Sequence, residues 1–244
     1  NNNNNNNNNK SDKGDGDDNN SSGCVNSNST WPLLNNLYLH TNMLTGTVPE
    51  SLGRLMQLKY LILDDNMLTG TITASMFTNL TELSVLLLRD NQFSGSINGW
   101  FNATTHHMLT TIQLSNNQFT GSIPAEIFAL PALETFSAVS NCLHGRLPPT
   151  VCGAYSLQSL VLDGAGAAPA CRIPLLPLRG VRTTAQAAYL NTQTLQGDIP
   201  SCLFSLPNIT TLHLSGNSFT GGIVLPHASD SSNSSSSSSG GVLS

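Results

Sequence analysis

Charged residues make up only 9% of this 244-residue chain, and aromatic residues only 6%. So little charge leaves Asn, Ser and Thr to carry the polar surface. Lysine and arginine number 9 against 14 acids, a formal net charge of −5. Three of those units lie in the tails, where Lys10 and Lys13 meet Asp12, Asp15, Asp17, Asp18 and Asp230, leaving −2 for the rest. Without a basic stripe there is no support for a nucleic-acid partner. No apolar run is long enough for a membrane span or a signal-peptide core, so no membrane span is expected within this chain. There is no P-loop, no G-x-G-x-x-G after a strand and no assignable nucleophile–base–acid triad, so neither a cofactor nor catalysis is expected. His106 and His107 are adjacent and point opposite ways on an extended segment, a poor chelate, so no metal is expected. Five cysteines, Cys24, Cys142, Cys152, Cys171 and Cys202, fit an oxidising compartment with one thiol left over, or equally five buried thiols. Their spacing does not give the pairing.

What the chain does have is a repeat. The stretch Leu109–Ala132 reads LTTIQLSNNQFTGSIPAEIFALPA. Around Asn117, apolar residues stand eight, five and three positions before and two after; glycine follows at four and a branched aliphatic at six. The same frame recurs around Asn42, Asn66, Asn91, Asn141 and Asn217. Degenerate copies begin at Leu157 and at Ala185, the second continuing through Ala188, Leu190, Gln193, Leu195, Gly197 and Ile199. The eight units start at 34, 58, 83, 109, 133, 157, 185 and 209, in steps of 24 to 28 residues.

The spacing dictates local structure. In L-x-x-L-x-L the last two leucines share one face of a strand and the residues between point out. Glycine then permits a tight or left-handed turn, and Pro49, Pro124 and Pro200 exclude a regular helix or central strand. One unit cannot bury its leucines; stacked units can. The asparagine sits at a bend where backbone groups lack ladder partners. Its amide both donates and accepts, so Asn42, Asn66, Asn91, Asn117, Asn141 and Asn217 are expected to form a structural ladder.

The pattern L-x-x-L-x-L-x-x-N-x-L/F-x-G-x-I-P resembles the plant-type leucine-rich repeat, from residue 34 to about 223. The resemblance implies an α/β-type repeat fold: a right-handed solenoid with a parallel concave β-sheet and short 3-10 or turn segments on the convex side. It also implies a non-catalytic binding module that recognises a protein, peptide or glycan, as in receptor-like ectodomains, secreted hydrolase inhibitors and adhesive cell-surface proteins. An extracellular or cell-surface location follows, membrane-anchored if the chain is longer. The family's paired-cysteine caps are incomplete, with only Cys24 and Trp31 hinting at one, so a piece of a longer protein is expected.

The expected organisation is a low-complexity segment at 1–29, a solenoid of about eight units at 30–226, irregular at 163–184, and a Ser/Gly-rich tail at 227–244. N-x-S/T sequons at Asn79, Asn102 and Asn208 fall on return segments, where glycans would leave the sheet face bare.

The outward strand positions nominate a site. Tyr38, Tyr60, Ile62, Val85 and Leu87 form an apolar-aromatic patch on the first three units, bordered by Asp64, Asp65, Arg89 and Asp90. Aromatic anchors inside a charged rim suit an interface, although strand propensity alone also favours tyrosine and valine there. The rival is the irregular sixth unit, where Ala165 replaces the ladder asparagine and Arg172, Arg179 and Arg182 follow. Residues 31–140 carry three bases against seven acids, and 141–223 four bases against two acids.

Overall fold

The computed structural model describes residues 31, 33–171, 173–174, 189–190, 194–223 and 225. They belong to the unit Trp31–Ser244. The expected low-complexity segments, Cys24, and the arginines at 172, 179 and 182 lie outside the described residues.

Each L-x-x-L-x-L motif contributes one short strand. Strands at Asn36–Tyr38, Tyr60–Ile62, Val85–Leu87, Thr111–Gln113, Thr135–Ser137, Ser159–Val161 and Thr211–His213 form a seven-stranded sheet in that order. Every pairing is parallel and in register. The middle residue of each strand faces inward. Leu61, Leu86, Ile112, Phe136 and Leu160 are fully buried, whereas Leu37 and Leu212, each with one neighbouring coil among the described residues, are half-buried. The fold is a leucine-rich repeat solenoid.

A second column of parallel strands runs along the return path, at Thr45–Thr47, Met67–Thr71, Gln92–Ser96, Gln118–Gly121 and Cys142–Leu143. The glycine of each coil is required here for two reasons. Gly70 and Gly95 hold φ of 82° and 83°, where an L side chain is strained. A Cβ on either would also lie 2.7 Å from a threonine methyl of the preceding coil. Short 3-10 helices follow at Glu50–Arg54, Ala125–Ala129, Pro149–Gly153 and Ser201–Ser205, with one α-helical turn at Ala74–Phe77.

The asparagines link the two columns. Asn66, Asn91, Asn117 and Asn141 each accept, through Oδ1, the N–H of Leu44, Leu68, Phe93 and Phe119 in the preceding coil, at 2.9–3.1 Å. Their Nδ2 groups donate to a carbonyl of the preceding coil and to carbonyls of their own. Among the described residues Asn42 reaches only carbonyls of its own coil, those of Leu39 and His40.

The sixth coil corrects the sequence-based count. Ser159–Val161 pairs directly with Thr211–His213, so the expected unit beginning at Ala185 adds no strand between them. Its described part, Tyr189–Leu190, pairs antiparallel with Ile173–Pro174 instead. The return half of that unit nevertheless sits in the stack. Leu195 bridges Gly145, and Gln196–Asp198 pairs with Ser218–Thr220. The two degenerate units are thus halves of one coil. The strand comes from 159–161 and the return path resumes at Leu195; of the described residues between them, Leu162 and Ala165 stay in the core, while Ile173–Pro174 and Tyr189–Leu190 pair outside the main sheet. Among the described residues there are seven coils, and the pair Tyr189–Leu190, past the expected limit of 184, lies outside the main sheet.

Backbone replaces side chain at this break. Leu143 donates its N–H to the Ala165 carbonyl at 2.9 Å, where earlier coils use an asparagine. Asn217 donates across the break to the Leu162 carbonyl at 2.8 Å, but its buried Oδ1 has no partner among the described residues. Two disulfides bracket the excursion. Cys142–Cys171 ties its first residues to the fifth coil, and Cys152–Cys202 joins the 3-10 helices of the fifth and sixth coils.

Candidate ligand-binding face

Parallel in-register pairing sorts the outward residues into columns. Tyr38, Ile62, Leu87 and Gln113 stand side by side in one, and Asn36, Tyr60, Val85 and Thr111 in the next. Tyr38 and Tyr60 meet edge to face, with ring centroids 6.2 Å apart. Tyr38 is half exposed at 51%, and Tyr60, Ile62, Val85 and Leu87 are partly exposed. The five therefore form one apolar surface over three coils. Beyond it the same columns carry Thr111, Gln113, Thr135, Ser137, Ser159, Val161, Thr211 and His213.

The rim differs from the expectation at Asp64. Its side chain is buried, with 5% of the residue exposed, rather than presented to solvent. The cause is local. Arg89 N–H lies beyond the last ladder bond of its strand, and Asp64 Oδ1 accepts it at 2.9 Å. Asp64 Oδ2 also pairs with Arg89 Nε at 3.2 Å. Burial pushes the Asp64 carboxyl above its usual range, and the bonds and charge from Arg89 offset this only in part. Asp163 plays the same part at the far end, accepting Ser215 N–H at 2.7 Å and facing His213 Nδ1 at 3.4 Å. The carboxylates of Asp65 and Asp90 also approach Arg89, at 3.9 and 3.8 Å, and both stay substantially exposed.

A feature missed in the sequence lies one residue before each ladder position. Thr41, Asp65, Asp90, Asn116 and Ser140 all adopt left-handed backbone, with φ of 50–55°. Aspartate and asparagine favour that region, which could have flagged Asp65, Asp90 and Asn116; threonine and serine give no such signal. The bend is held by backbone bonds between coils, such as Asp65 N–H to the Arg89 carbonyl at 3.1 Å.

The other nominated groups are elsewhere. His106 is buried, with Nε2 3.0 Å from the Phe77 carbonyl and Nδ1 accepting Asn102 N–H, so both ring nitrogens are used structurally; His107 is exposed. No group of three or more His, Cys, Asp or Glu among the described residues could hold a metal. Asn79, Asn102 and Asn208 are exposed on return segments. Asn102 Oδ1 accepts both the N–H and the hydroxyl of Thr104 in its own sequon, and Asn208 Nδ2 donates to the Tyr155 carbonyl at 2.8 Å.

A family model described as Leucine Rich Repeat matches residues 108–130 and 208–227. Over 200 residues the chain is 34% identical to Receptor-like protein 39 of Arabidopsis thaliana, covering 80% of this chain and 22% of that one. The chain belongs to the plant-type leucine-rich repeat proteins. The match to solved leucine-rich repeat ectodomains agrees. The plant peptide hormone receptor RGFR1, solved in complex with RGF2, is 32% identical with a TM-score of 0.58, over 74% of this chain and 24% of that one. Pollen Receptor Kinase 3 is 26% identical with a TM-score of 0.59, over 78% of this chain and 77% of that one. The chain spans about a fifth of the length of the curated relatives it matches. No helix among the described residues of this leucine-rich repeat chain is long and apolar enough to cross a membrane.

Proposed function

We propose that the chain is a non-catalytic binding module of a receptor-like ectodomain, recognising a protein or peptide through the open face of its seven-stranded sheet. One observation carries this: the contiguous surface of Tyr38, Tyr60, Ile62, Val85 and Leu87, on a sheet whose later coils present mostly Ser, Thr and Gln, with Val161 a single aliphatic among them. Aromatic anchors within a charged rim are the composition of interface centres. A solved relative, RGFR1, is a peptide hormone receptor. Two disulfides suit an oxidising, extracellular or cell-surface setting.

The test is selection of linear peptides from a random display library on the immobilised chain, with counter-selection on Ile62→Asp. That substitution puts a charge in the middle of the patch while leaving the inward residues Leu61 and Leu63 untouched. Peptides selected on the wild type should fail to bind the variant. Equal binding to both would move the site off this face, with the sequence segment bearing Arg172, Arg179 and Arg182 after Cys171 as the first alternative.

A further inference from the structure

We infer that the partner of this face is a protein or peptide segment bearing a lysine or arginine beside an apolar side chain. This rests on the proposed binding face and adds the chemistry of what it takes.

The apolar half of the argument is the patch itself. The charged half comes from how Arg89 is used. Arg89 stands two residues beyond Leu87, on the same side of the chain. Among the described residues it is the one cation paired at this edge, and its guanidinium is shared among Asp64, Asp65 and Asp90. One positive charge against three carboxylates leaves the edge negative. Arg89 is therefore a poor receptor for an anionic partner, although taken alone it would suggest one. Asp64 is buried and committed to Arg89. Asp65 and Asp90 keep 45% and 36% of their side chains exposed. Both sit on left-handed backbone fixed by bonds between coils, so their positions are set before any partner arrives. Lys59, the other nearby base in sequence, precedes Tyr60 at the opposite end of its strand.

Charge complementarity then decides among occupants. A wholly apolar partner would bury Asp65 and Asp90 with only the shared Arg89 charge and, for Asp90, the Asn116 amide to offset two carboxylates, which is costly. An acidic partner would be repelled. A neutral glycan can donate hydroxyls to Asp65 and Asp90, but it brings no positive charge and gains no hydrogen bond from Ile62, Val85 and Leu87 at the centre of the patch. A basic side chain next to an aliphatic or aromatic one satisfies both halves.

The experiment is the same display selection, read for composition and repeated with the Asp65→Asn/Asp90→Asn double variant. Asparagine keeps the size and tolerates left-handed backbone. The wild type should enrich peptides in which lysine or arginine lies near Leu, Phe or Trp. The double variant should keep the apolar preference and lose the basic one. A synthetic peptide chosen on the wild type should bind it roughly twofold to fivefold more weakly, the scale of exposed charge pairs, with a flatter salt dependence. Enrichment of neutral or acidic peptides that still requires Ile62 would overturn this inference and spare the binding face. Peptides indifferent to Ile62→Asp would overturn the face itself. Failure to enrich any peptide, with binding instead to a neutral oligosaccharide array, would overturn both.

Discussion

Asn117 engages four backbone groups from a position 3% exposed: it accepts Phe93 N–H and donates to the carbonyls of Leu88, Leu114 and Ser115. Its neighbour Asn116 is exposed and reaches only Asp90 Oδ1, at 2.6 Å. Asn117→Leu leaves buried groups unpaired in two coils, each costing about 1–3 kcal/mol. Asn116→Leu pays mainly for a branched side chain on left-handed backbone, about 1–2 kcal/mol. Urea titration should therefore show the larger loss for Asn117→Leu; equal midpoints would contradict the ladder. Asp64 supports a pH prediction. Its carboxyl binds a proton more tightly in the folded chain than its ordinary value of 3.8 implies, because burial penalises the charged form. The stability it contributes is thus fully present below that value and lost as pH rises through the raised folded-state value. Asp64→Asn keeps an acceptor for Arg89 N–H but has no proton to bind. The wild type's advantage over this variant should shrink from acid towards neutral pH in parallel unfolding titrations. An advantage that grows with pH would mean that the Arg89 pair, not burial, dominates.

The sixth coil shows what an element needs to join the stack. Ile173–Pro174 and Tyr189–Leu190 pair with each other and not with the main sheet, while Leu195 and Gly197 keep the register of Leu143 and Gly145. Replacing residues 175–188 by an Asn-Gly turn should therefore join the antiparallel pair as a hairpin and leave all seven coils in place. The thermal midpoint should move by no more than about 4–8 °C, the shift that goes with roughly 1 kcal/mol in a domain of modest size. Loss of cooperative unfolding would restore the eighth unit. The regular coils were legible in the sequence because every L-x-x-L-x-L aims large side chains at one core, a local signal. The unit at Ala185 misled because Ala185 and Ala188 fit the spacing while offering little surface to bury. What decides the matter is non-local: the Gly145–Leu195 bridge and the Cys152–Cys202 link across 50 residues. The outward patch was legible from alternation. The burial of Asp64 was not, since it follows from an unpaired N–H on the next coil.

At the scale of the whole molecule, parallel register turns scattered residues into one surface. Tyr38, Tyr60, Ile62, Val85 and Leu87 are up to 49 positions apart in sequence and side by side in the sheet. Asn79, Asn102 and Asn208 lie on return segments, away from those strands. The net charge between residues 31 and 140 is acidic, and the acidic groups Asp64, Asp65 and Asp90 gather at the edge of the apolar patch. The most direct measurement is a calorimetric titration of one display-selected peptide into three proteins: the wild type, Tyr60→Ala, and the chain in which the Asn-Gly turn removes Arg179 and Arg182. The Tyr60 ring faces outward, so its loss should spare the fold. It should weaken binding by roughly tenfold or more, as a central aromatic anchor does, while the turn variant binds as the wild type does. Full affinity in Tyr60→Ala together with loss in the turn variant would contradict the account and place the site on residues 175–188.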